Sequence, residues 1–488
     1  MAASIVSPAE LGRLRPSYRA EVRATLALAG PLVLTNAAQF AFGVTDTLLL
    51  GRLGADALAA GALAANLHFA VLIFGIGALT AVSSLVAADR GRDPHALEPV
   101  RATVRQGFLA ALALTVPVWL AMWNGEAILR ALGQEPALAS AAGTFLRALM
   151  GSVPFFLGFL VLRSFLAALE RPGWTLVVGL LAVPLNAALA YALVFGRLRL
   201  PALGLAGPGM ATSLASLFMF AGLAVVCIAD PGLRRYRLFS APWRVDWART
   251  RDLWRLGAPV GLTMAFEVLI FNAAALLMGL LGAAELAAHS IALQIATVAF
   301  MVPLGLSQAA TVRVGLAYGA GDPRGVRVAG WTALGLGTAF ALLTMAVIVL
   351  RPLPLVGLFT DVAAPGNAAL VALTLAYLSL AGLFQVADSV QAVAAGALRG
   401  LQDTRTPMLL VAAGFWLVAA PLGATLALRT PWRGVGVWTG LAVGLLVVAV
   451  LLLARWMSRL AAIEAGTAPA APSSPGEGLG PEAWRSPP

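Results

Sequence analysis

Asp46, Glu267 and Asp388 stand inside apolar stretches long enough to cross a bilayer, in a chain whose other charges gather almost entirely between such stretches. An ionised carboxyl is expensive in hydrocarbon, so one kept at that depth is expected to face a cavity and bind something positive. Two of the three have polar neighbours on the same helical face. Asn36, Gln39 and Asp46 are three and seven residues apart, and Gln385 and Gln391 each lie three from Asp388, with Phe384 one turn back. Glu267 sits within Met264-Ala265-Phe266-Glu267-Val268-Leu269-Ile270-Phe271-Asn272, and no Arg or Lys in the interior of its span offers a fixed ion pair. Ser290, Gln294 and Thr297 could add oxygen or amide ligands, or simply tie helices together. Oxygen ligands suit a hard monovalent ion and carboxyls carry protons, so the chemistry on offer is exchange of Na+ or H+.

The elements that must position these groups are membrane helices. The 488 residues are 60% hydrophobic and 11% charged, with mean hydropathy +0.88, whereas a soluble domain carries roughly a quarter charged residues. Twelve apolar runs of spanning length recur, from Leu26–Leu50 to Val435–Trp456. They lack the short alternating pattern of barrel strands, and a helix satisfies its own backbone in lipid. The fold expected is therefore an all-α polytopic bundle of twelve transmembrane helices.

Every one of the 33 basic residues is arginine. Sorted by alternate loops, all but Arg52, Arg130, Arg147, Arg197, Arg199, Arg351, Arg429 and Arg433 fall on the side shared by the two termini. That imbalance predicts both termini cytoplasmic. It also argues against nucleic acid as the partner of the +11 net charge, since a binding face would cluster by patch rather than by alternate loop. Met1 to Arg23 lacks a cleavable signal pattern. Cys227 is the only cysteine, so no internal disulfide forms. His68, His95 and His289 are scattered, and without lysine there is no P-loop, so neither an enzyme nor an ATP-driven pump is expected and no cofactor is called for. His289 reads as a buried, satisfied histidine rather than a metal ligand.

The longest polar break, 229–255, divides the runs into two groups of six. The halves repeat: Gly51-Arg52-Leu53-Gly54-Ala55-Asp56-Ala57-Leu58 matches Gly279-Leu280-Leu281-Gly282-Ala283-Ala284-Glu285-Leu286, and the same offset carries Pro31 onto Pro259 and Gln39 onto Glu267. A duplicated six-helix unit keeps one topology in both halves, with substrate between them. The domains read as an arm at 1–25, a lobe at 26–228, a linker at 229–255, a second pseudo-symmetric lobe at 256–457 and a disordered tail at 458–488.

Val44-Thr45-Asp46-Thr47 with Gly51, Phe266-Glu267-Val268 with Ala287-Ala288-His289 and Arg313-Val314-Gly315, and Asp388 ahead of Gly396-Ala397-Leu398-Arg399-Gly400 and Asp403-Thr404 resemble the multidrug and toxic compound extrusion (MATE) family, in its NorM-like branch. The resemblance spans roughly Gly30 to Trp456. It implies a monomeric bacterial inner-membrane antiporter that exports organic cations against Na+ or H+ by alternating access. It also implies a C-lobe cation site at the positions of Glu267 and Asp388, an N-lobe coupling acid at Asp46, and a family asparagine at Asn186. Phe384 departs from a tyrosine found in some members, and the second acid of the archaeal-type proton site is missing near Asn186. The rival reading, a flippase for lipid-linked saccharides, needs a basic cavity to hold pyrophosphate; Arg147 and Arg163 read as lying near helix ends, where they can snorkel.

Overall fold

The computed structural model describes residues 17–197, 199, 201–240 and 244–467. Residues 1–16 of the arm and the tail from 468 onward lie outside these. Among the described residues the chain is helical and no strand occurs. Eleven helices are long and apolar enough to span a membrane, and a bent pair supplies the twelfth. In chain order they are α1 (Tyr18–Leu53), α2 (Ala55–Arg92), α3 (Leu97–Trp123), α4 (Pro136–Leu149 and Ser152–Ala168, bent by 48°), α5 (Gly173–Phe195) and α6 (Ala206–Ala229). The second set is α7 (Trp247–Leu281), α8 (Ala283–Gly319), α9 (Pro323–Leu350), α10 (Pro365–Gly400), α11 (Arg405–Arg429) and α12 (Arg433–Glu464).

Helix ends overrun the apolar runs, because hydropathy marks where charge begins and not where hydrogen bonding stops. The segment expected as a linker holds a short helix, Pro231–Arg234, and the start of α7, where the Asp246 side chain accepts from the Arg249 backbone N–H at 3.1 Å. That N-cap satisfies one of the four donors every helix start leaves open. Likewise α1 reaches back to Tyr18 and α12 runs on to Glu464.

The duplication holds in atomic detail. Gly54 and Gly282, equivalent in the repeat, turn the chain from α1 to α2 and from α7 to α8 at φ 121° and 149°, a region closed to side chains with a Cβ. Pro31 and Pro259 sit inside the continuous helices α1 and α7, and in each case the threonine four residues on donates its hydroxyl to the proline carbonyl: Thr35 at 2.8 Å and Thr263 at 2.9 Å. Glu170 and Gln402, just after α4 and α10, take the same left-handed turn at φ 57° and 59°.

Helices α1–α6 pack as one lobe and α7–α12 as the other, joined through α1 against α8 and α2 against α7 and α8. The two joints are copies of each other. A Cβ built on Gly77 of α2 would lie 2.7 Å from the Gly261 Cα of α7. The repeat offset carries Gly77 onto Gly305, whose Cβ would meet the Val33 nitrogen of α1 at 3.2 Å and the Ala29 carbonyl at 3.3 Å; Ala29 and Val33 map in turn onto Gly257 and Gly261. Small residues thus let the backbones of opposite lobes touch, the usual device for helix association in lipid.

At Gly77 the obstacle is backbone that cannot swing aside. Gly77→Val is expected to cost about 1–3 kcal/mol by overpacking and to lower the melting temperature in detergent. Gly30→Val, at a position with open space around it, is the matched control, and equal melting temperatures for the two variants would contradict the account of the joint.

Candidate functional site

The three intramembrane acids fall into two groups, one per lobe. In the first lobe Thr212 of α6 donates its hydroxyl to Asp46 Oδ2 at 3.2 Å and accepts from the Asn186 amide of α5 at 3.2 Å. Asp46 Oδ1 and Asn186 Oδ1 are buried without partners among the described residues. One hydroxyl therefore links acid and amide across three helices and leaves acceptor oxygens free for a proton or cation.

In the second lobe the Gln391 amide of α10 donates to Glu267 Oε1 of α7. Asp388, one turn earlier on α10, lies within electrostatic reach of Glu267 and makes no side-chain hydrogen bond among the described residues. Two acids on facing helices, with an amide on one of them, form a site that suits a cation or proton. Arg399, two turns beyond Gln391 on α10, also acts on Glu267 electrostatically without forming an ion pair. The wall behind the acids is aromatic: the Phe384 ring stands edge-on to Phe271 and to Trp438, each at 6.0 Å.

The other residues expected to line a cavity differ in burial and in partners. Phe384 and Gln385 are buried, at 3% and 1% exposure, and the Gln385 amide is held by the Ala296 carbonyl at 2.8 Å. Ser290 is exposed and gives its hydroxyl to Leu286 of its own helix, while Gln294 is half-buried. His289 is buried against Trp438 as expected, but both ring nitrogens lack partners among the described residues, so it is not satisfied.

The stripe of Asn36, Gln39 and Asp46 is divided along α1. Asn36 belongs to a junction between the lobes, in which Arg163 of α4 donates to Asn36 Oδ1 at 2.6 Å and to Gln308 Oε1 of α8 at 2.7 Å. Arg163 is only 7% exposed, so it does not snorkel to an interface. Gln39 lies between the two groups with its amide nitrogen buried and unpartnered.

The sequence reading missed Thr212, Gln308 and the role of Arg163. A lone arginine inside a spanning run was the available signal for the last; nothing in a single threonine of an apolar helix signals the first.

Further lobe-to-lobe bonds lie closer to the termini. Arg313 of α8 clamps Glu21 of α1 and Glu170 after α4, each at 2.5 Å, and Arg249 of α7 meets Asp89 of α2 at 3.1 Å. Ser84 donates to the Arg399 carbonyl at 2.7 Å and Thr250 to Gln106 at 2.9 Å. Among the described residues, the hydrogen bonds and ion pairs between lobes all sit in the half nearer the termini, level with Asn36 or closer. Asp46 lies beyond Asn36 toward the far side.

The MatE family profile matches residues 31–192 and 259–425, one segment in each lobe. The chain is 54% identical over 442 residues to the probable multidrug resistance protein NorM of Mesorhizobium japonicum, covering 91% of this chain and 95% of that one. It is 46% identical over 445 residues to the protein of the same name in Brucella suis, covering 91% and 94%. The fold superimposes on the crystal structure of the eukaryotic MATE transporter AtDTX14 with TM-score 0.81 at 20% identity, over 92% of this chain and 100% of that one. It also matches an outward-facing multidrug resistance MATE family transporter of the MOP superfamily, with TM-score 0.81 at 18% identity over 91% and 97%. With both lobes matched and relatives this similar along almost their full length, the chain belongs to the MATE family.

Proposed function

We propose that this chain is a secondary antiporter that exports organic cations, drugs among them, in exchange for Na+ or H+, with Glu267 and Asp388 holding the coupling ion and Asp46 acting as a second exchange site. The observation that carries the reading is the polarity of the lobe junction. Among the described residues the bonds between lobes gather on the terminus side, and none crosses on the far side, toward which Asp46 lies. A chamber between the lobes that is fastened at one end and lined by these acids would hold a cation presented from the other.

Transport follows if the bound ion favours one arrangement of the lobes and the drug the other, since a ligand shifts an equilibrium only by its differential affinity for the two states. Charge balance supplies that difference. A cationic drug and the coupling ion both neutralise the same carboxyls, so occupancy by one disfavours the other. For the lobes to open toward the termini, Arg163 must release Gln308, Arg313 must release Glu21 and Glu170, and Arg249 must release Asp89.

The placement of arginines supports a cytoplasmic location for the terminus side and an inner-membrane site, and one chain supplies both lobes, which suits a monomer. The flippase alternative finds no support. The two arginines buried at the junction are both occupied, Arg163 by Asn36 and Gln308 and Arg249 by Asp89, so neither is free to hold a pyrophosphate.

Glu267→Gln and Asp388→Asn are each expected to slow cation-driven ethidium efflux from proteoliposomes by at least about tenfold, equivalent to about 1.4 kcal/mol. Wild-type rates for both variants would overturn the assignment, and comparing a Na+ pulse with a pH pulse identifies the ion.

Thr212→Val strands Asp46 and Asn186, whereas Thr212→Ser keeps the shared hydroxyl. Efflux is expected to drop in the first and persist in the second; equal rates would remove Thr212 from the site. Gln308→Leu leaves Arg163 without its acceptor on the second lobe, so labelling of a cysteine placed at Ser84 should rise as the terminus side opens. Unchanged labelling would mean that the Arg163 junction is not a latch.

A further inference from the structure

On the terminus side several arginines have carboxylate partners, among them Arg249 with Asp89, Arg171 with Asp230, Arg455 with Asp403 and Arg327 with Glu464. Three that do not, Arg251, Arg255 and Arg405, converge with Trp254 on a groove of about 520 Å³ between the starts of α7 and α11. Arg251, Trp254 and Arg255 share a face of α7 at spacings of three and four, and Arg405 is the first residue of α11, which packs against α7. All three arginines are exposed and Trp254 is half-buried. The neighbouring acid, Asp252, is not among the residues that line the groove.

The depth of this groove is set by the sequence. The apolar run of α7 begins at Leu256, the residue after Arg255, and that of α11 at Met408, three after Arg405. The guanidinium groups therefore stand at headgroup level, with a tryptophan at the depth where indoles collect. Directly along the same faces, Leu262 of α7 and Leu409 of α11 present 39% and 62% exposed apolar side chains below the charges. Cationic above and greasy below, the groove matches an anionic lipid rather than a soluble anion.

We infer that the groove between α7 and α11 binds an anionic phospholipid, its phosphates on Arg251, Arg255 and Arg405 and its acyl chains on the surfaces carrying Leu262 and Leu409. Basic pockets between helices at this level commonly take such headgroups. Three positive charges with no lining carboxylate favour a headgroup with two phosphates over one with a single phosphate. Bidentate guanidinium contacts give the phosphates a defined geometry.

The test is native mass spectrometry of the full chain released from nanodiscs of phosphatidylcholine containing either cardiolipin or phosphatidylglycerol. Wild type should retain cardiolipin through delipidation at least tenfold better than the variant Arg251→Gln/Arg255→Gln/Arg405→Gln. A control that removes the same charge elsewhere on that side, Arg19→Gln/Arg23→Gln/Arg324→Gln, should behave as wild type. Phosphatidylglycerol should be retained less than cardiolipin, and phosphatidylcholine equally by all three proteins. Equal cardiolipin retention by the groove variant, or an equal loss in the control, would overturn the site. Displacement of the lipid by millimolar inorganic diphosphate would reassign it to soluble anions. If the triple variant does not fold, Arg405→Gln alone should reduce retention, and an undiminished adduct would be decisive against the proposal.

Discussion

The lobes meet where backbone touches backbone. Gly77 against Gly261, and Gly305 against Ala29 and Val33, bring helices of opposite lobes closer than any side chain permits. Such a joint contributes apolar contact, with Val33 and Phe74 set into the notches at Gly305 and Gly261, and no polar bond of its own. Its stability in one arrangement has to come from the bonds around it, and those are gathered on the terminus side: Arg163 with Gln308, Arg313 with Glu21 and Glu170, and Arg249 with Asp89. An apolar joint with polar fastenings at one end can part on that side once the fastenings release.

The chemistry is distributed to match. Each lobe carries its acids on its own helices, with partners from the same lobe: Asp46 with Thr212, and Glu267 with Gln391. No exchange site is split by the junction. Loading one lobe therefore leaves its internal bonds in place and acts on the neighbouring lobe through charge and through what the cavity holds. The aromatic wall of Phe271, Phe384 and Trp438 stiffens the second lobe behind Glu267 and Asp388.

Much of this was legible from residue type and spacing, for reasons specific to lipid. Because every polar backbone group must be satisfied within its own helix, apolar runs announced the helices, and because charge is so costly at depth, Asp46, Glu267 and Asp388 stood out. The repeat was visible in the glycines and prolines, which mark backbone geometry. What periodicity could not give was depth and partnership. Asn36 and Asp46 share a face of α1, yet ten residues of helix separate them by about 15 Å, enough to place one at the lobe junction and the other in the exchange site. The partners Thr212 and Gln308 come from helices far away in sequence, and the bend in α4 falls at Met150–Gly151, inside what reads as one continuous spanning run.

The duplicated halves differ in one place that bears on motion. Within α11, residues Gly414–Ala419 wind as a π-helix just ahead of Pro421, where an ordinary turn would press a carbonyl against the proline ring. In the other lobe α5 carries Pro184 within an unbroken α-helix. An inserted residue is a small store of slack: winding it back into the regular spiral would lengthen α11 by about 1.5 Å and rotate everything downstream by about 100°. The second lobe thus holds, in a single helix, an adjustment that its twin lacks, so the halves need not answer a shared cargo with mirror-image movements.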